Sequence, residues 1–116
     1  WDAQHIWLTR MQGGSMSKWP SASFKGSKDD SLNGLIEWSS ELSAFLLSKP
    51  KAFLATYYPY KNMKGEAFES TYDDTLFHIV NHSTYHRGQI ITMLREAGID
   101  QLPSTDLIHY LRSIVK

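Results

Sequence analysis

The stretch from Asp73 to Gly98 constrains the fold more than any other part of this chain. Asp73, Asp74 and Thr75 supply a cap and an acidic first turn, and Gly98 suits a left-handed C-terminal cap. That pattern predicts a helix running to about Ala97. Within it, His78, His82 and His86 recur at every fourth residue. On a helix they form one stripe, each advanced by about 40° from the last.

Two imidazoles at i and i+4 can point at one metal ion. Three from one helix converge poorly, because the outer pair is separated by about 12 Å along the axis. One outer histidine is then a supporting residue. A plainer alternative stays open, in which these are exposed or core histidines with satisfied hydrogen bonds. Clustering imidazoles without a metal carries a desolvation cost and mutual repulsion at low pH.

The rest of the chain reads as further helices. Residues 1–12 have helical spacing through Trp1, His5, Leu8 and Met11, and Gly13-Gly14 stops the run. Residues 13–29 are rich in Ser, Gly and Lys and predict a long loop, with Trp19 and Phe24 pinning it to the body. Asp29, Asp30 or Ser31 is expected to cap a second helix, which Lys49-Pro50 ends. Residues 51–72 are aromatic, with Pro59 and Gly65 between, and predict an extended excursion or short hairpin. Ser104-Thr105-Asp106 starts a last helix to about Ile114. The sum predicts an all-α, up-and-down bundle in a single domain, 1–116. The opening, Trp1 to Leu8, lacks an initiating Met and a cap box, so residues are expected upstream.

Composition narrows the chemistry. With no cysteine, disulfides, thiolate zinc sites and a Cys nucleophile are excluded, leaving His and carboxylate as ligands. Lys+Arg and Asp+Glu both number 12, so the formal net charge is zero. That argues against a nucleic-acid partner, whose phosphates demand a basic face. The apolar run Ala44-Phe45-Leu46-Leu47 is far short of the roughly 20 residues that span a bilayer. No signal peptide is visible, and a cytoplasmic location without membrane association is the expectation.

The segment Asn81-His82-Ser83-Thr84-Tyr85-His86-Arg87-Gly88-Gln89 resembles the signature of the DinB-like family, a metal-dependent thiol-transferase superfamily. Asp2 to Arg10 is similar to that family's second helix, with its Trp-Leu pair and Arg. Met93 to Gly98, Leu102-Pro103 and Asp106-Leu107 fit its path into the last helix. The resemblance implies a four-helix bundle whose first helix is missing from this chain. It implies a divalent metal held by three histidines, two of which match His82 and His86; affinity order and availability make zinc or nickel the expected ion. The third falls just upstream of Trp1, with His5 and His78 as lower-ranked candidates. Asn81 and Gln89 can hydrogen-bond a ligand's other ring nitrogen and fix its tautomer. Arg87 suits a surface salt bridge, and Gly88 in mid-helix suggests close approach of a neighbouring helix.

The family's chemistry implies transfer of a low-molecular-weight thiol to an electrophile, or a related hydrolysis. No catalytic side chain is assigned. The competing expectation is a non-catalytic, stress-related helical module with a structural metal. A homodimer is expected in either case.

Overall fold

The computed structural model describes residues 1–115. Among the described residues there are four α-helices: α1 (Asp2–Met11), α2 (Lys28–Leu47), α3 (Tyr72–Glu96) and α4 (Leu107–Ile114). Two strands, β1 (Tyr57–Lys61) and β2 (Ala67–Thr71), form one antiparallel hairpin. Short 3-10 turns occupy Pro20–Ser23 and Lys51–Ala55. The chain divides into two compact units, Trp1–Ile79 and the residues from Val80 onward, with α3 running through the division.

In the first unit, α1 stops where the glycine pair predicts. Gly13 has φ +83°, its N–H donates to the Arg10 carbonyl at 3.0 Å, and the Gly14 N–H donates to the Thr9 carbonyl at 2.8 Å. This is the paired closure that left-handed glycine makes at a helix end. The next helix starts earlier than Asp29–Ser31 would place it. Ser27 is the cap: its hydroxyl accepts from the Asp30 N–H at 3.2 Å, while the Asp30 carboxylate accepts from the Ser27 N–H at 2.7 Å. A serine followed three residues later by an acid satisfies two orphan donors at once, which neither aspartate achieves alone. Those bonds hold the Asp30 carboxyl below its ordinary value.

The loop before α2 is tied down at Phe24, whose ring meets Trp1 edge-on at 5.7 Å, and at Ser21. Asp2 accepts from the Ser21 N–H at 2.9 Å and from its hydroxyl. Trp19 does not pin the loop; it is 58% exposed.

The all-α expectation is corrected by the hairpin. Tyr57 pairs with Thr71 and Lys61 with Ala67. Tyrosines, Phe68 and Thr71 favour a pleated surface over a helix. Pro59 is tolerated because a two-stranded sheet has only edges. Asn62 organises the turn by accepting from the N–H groups of Lys64 at 2.9 Å and Glu66 at 3.1 Å.

The core of this unit lies where α1 packs on α2 and β1. Leu8, Met11, Leu42, Tyr58, Tyr72 and Ile79 are its buried members. The Tyr72 ring lies 4.1 Å from Phe53 and 4.5 Å from Tyr58. Its hydroxyl donates to the Met11 carbonyl at 3.2 Å, one of the acceptors that the end of α1 leaves open. The first residue of α3 thereby closes the last turn of α1.

In the second unit, Gly98 has φ +81° and closes α3 as Gly13 closes α1: its N–H reaches Arg95 and the Ile99 N–H reaches Leu94. Asp106 caps α4 by accepting from the Ile108 N–H at 3.2 Å. No helix among the described residues is long and apolar enough to cross a membrane.

Candidate metal centre

The two signature histidines meet on α3. At about 100° per residue, Thr75, Ile79, His82, His86, Ile90 and Met93 share one helical stripe. Thr75 and Ile79 are buried in the first unit's core. The histidines therefore interrupt a stripe that is otherwise mostly apolar. His82 is half-buried and His86 exposed.

Their Nε2 atoms lie 3.1 Å apart, with the rings nearly perpendicular at 89°. Two nitrogens each about 2.05 Å from one ion lie about 3.3 Å apart at a tetrahedral angle, and about 2.9 Å apart at a right angle. The observed spacing falls between these limits, so the donor pair fits a single divalent ion.

A chain of hydrogen bonds sets the His86 tautomer. Its Nδ1 lies 2.7 Å from Gln89 Oε1, and the Gln89 amide nitrogen donates to the Tyr85 hydroxyl at 3.0 Å. With Oε1 as acceptor, the His86 proton sits on Nδ1 and the lone pair on Nε2. Gln89 thus has the geometry its position suggests. Asn81 is exposed and makes no side-chain hydrogen bond among the described residues. Among the described residues Arg87 makes no salt bridge; it donates to Thr84 Oγ1 at 2.8 Å, and Thr84 lies across the helix from His82. Gly88 is not a point of close approach either, since a Cβ there would meet nothing within 4 Å.

The other histidines have different surroundings. In the first unit, the His5 ring lies flat on Trp38, centroids 3.5 Å apart and planes 8° apart. Its Nδ1 is buried without a hydrogen-bond partner. Burial pushes its pKa below the ordinary value against the opposing pull of Asp2 and Glu37. His78 meets the Trp7 ring edge-on at 5.4 Å. Among the described residues no group of three His, Asp or Glu is placed to hold a metal ion.

The sequence pattern gives Arg10 only a place in the first helix beside the Trp-Leu pair, yet Arg10 is only 7% exposed. The available signal was its i, i+3 spacing from Trp7, which puts a cation beside an indole on one helical face.

Comparison with known proteins bears on this geometry. The sequence profile of the DinB family matches residues 1–114. The chain belongs to the DinB family. Protein DinB of Bacillus subtilis (strain 168) is 45% identical over 51 residues, which cover 44% of this chain and 29% of that relative. The match therefore spans less than a third of the relative's length. No solved structure matches.

Proposed function

We propose that this DinB-family chain binds a divalent metal ion, zinc or nickel, through Nε2 of His82 and His86. The observation that carries the reading is the 3.1 Å approach of the two Nε2 atoms, with His86 Nδ1 committed to Gln89. A third nitrogen ligand, as in the family's three-histidine set, completes the site. Within the chain His5 and His78 are the lower-ranked candidates.

His82 and His86 would hold the ion, which when bound would supply Lewis acidity toward a thiol or water. The chain's own residues orient the ligands: Gln89 holds the His86 ring. The activity that follows is thiol S-transfer, or a related hydrolysis, with a low-molecular-weight thiol and an electrophile as partners. The absence of cysteine suits a thiol brought in from solution. The remaining features of the reading are an up-and-down four-helix bundle, a homodimer and a cytoplasmic location.

A second reading is a non-catalytic, stress-related dimer module with a structural metal. Its mark would be a fourth protein ligand closing the ion's shell.

Metal content decides first. Protein purified without chelator or nickel resin is analysed by plasma mass spectrometry beside a His82→Ala/His86→Ala variant. About one ion per chain in the parent and none in the variant supports the site. Equal emptiness after zinc and nickel are offered removes the metal reading. Exchangeable water on the bound ion then favours the enzyme, and a closed four-ligand shell favours the structural module.

A further inference from the structure

Arg10 is largely buried and has no ion-pair partner among the described residues. It sits in the last turn of α1 and is 7% exposed. Its Nε is buried and has no hydrogen-bond partner. No carboxylate pairs with it among the described residues. The groups that influence its charge are the hydroxyls of Tyr60 and Tyr58, and burial outweighs both, lowering its pKa.

Its position at a helix C-terminus offers an ordinary explanation, because cations are favoured there. The local carbonyls are already taken, however. Gly14, Gly13 and the Tyr72 hydroxyl donate to the carbonyls of Thr9, Arg10 and Met11 respectively. The guanidinium has instead the rings of Trp7, at 4.6 Å, and Tyr60, at 5.4 Å. Attraction to two ring faces compensates only part of the cost of burying an unpaired ion. A ligand carboxylate at the guanidinium would supply the missing partner.

The surroundings indicate what binds. Trp7 meets Tyr60 edge-on at 5.2 Å and His78 edge-on at 5.4 Å, so aromatic surface adjoins the cation. A single planar guanidinium matches a single planar carboxylate. Adjoining rings match an apolar or aromatic body attached to it.

We propose that Arg10 anchors the carboxylate of a small monoanion whose apolar body packs against Trp7 and Tyr60. All the residues involved lie within Trp1–Ile79, and none of them is His82 or His86.

The test is an NMR titration of the metal-free chain, following the Trp7 indole N–H, which a Trp7→Phe variant identifies. Sodium benzoate, its neutral isostere benzamide, sodium acetate and inorganic phosphate are added separately. Benzoate is expected to give a saturable shift, with an affinity at least about tenfold above benzamide and acetate. Arg10→Met is expected to abolish that preference, and Arg10→Lys to keep part of it. Equal binding of benzoate and benzamide overturns the proposal, as does a response to phosphate alone or no saturable response to benzoate. The isostere comparison uses only the parent chain, so it stands even where Arg10→Met does not fold.

Discussion

The hydroxyl of Tyr58, on β1, lies 2.7 Å from Thr75 Oγ1 on α3, in a buried contact. Thr75 also donates to the Thr71 carbonyl at 3.0 Å. With the threonine proton so committed, Tyr58 is the donor. Tyr58→Phe therefore removes a bond but strands no proton, and is expected to cost about 1 kcal/mol. Thr75→Val leaves a buried phenol without an acceptor and is expected to cost about 2 kcal/mol. Urea denaturation of both variants checks the order; equal costs would mean that water reaches the phenol.

His5 makes stability depend on pH. Burial against Trp38 lowers its folded pKa below the 6.5 expected of a free imidazole. The unfolded chain then binds the proton first, so the contribution is fully present above pH 6.5 and is lost as pH falls towards the folded pKa. Asp2 and Glu37 narrow the window without reversing it. Thermal unfolding between pH 7 and pH 5 is expected to show a drop that His5→Phe reduces.

Gly88→Ala is expected to stabilise the chain by up to about 1 kcal/mol, because the added methyl meets nothing and the helix no longer carries glycine's entropy. Calorimetry measures the gain. Destabilisation would show that something packs on this glycine in solution.

Gln89→Leu is expected to weaken zinc affinity by about 10- to 100-fold by freeing the His86 ring, while Asn81→Ala leaves it within about twofold. Competition against a chromophoric chelator reads both. An unchanged affinity in Gln89→Leu would remove the tautomer argument.

The helices were readable because their end signals are local. Gly13-Gly14, Gly98 and Asp106 act through bonds to residues a few positions away, and each closes or starts a helix where its chemistry predicts. The start of α2 was misplaced because Asp29, Asp30 and Ser31 each offer a capping oxygen, while the cap that forms is Ser27, through its reciprocal bond with Asp30. The His82–His86 pair was visible for the same local reason, one helical turn. The surroundings of Arg10 were not, since Tyr60 is fifty residues away in sequence and reaches it only once the hairpin folds back. The His5–Trp38 stack likewise needs α1 against α2.

Thr71 ends β2 and Tyr72 begins α3, with no residue between. Elsewhere a linker would absorb a change in length. Here the pleat of the strand sets the angular phase of the helix that grows from it. One residue inserted between 67 and 71 would reverse the strand's faces, a turn of about 180° at the helix start, carrying Tyr72, Thr75 and Ile79 out of the core together. The same insertion between 62 and 66 would alter only a turn. Lineages of this chain should therefore vary in length at the hairpin tip and keep the strand-to-helix junction invariant in length.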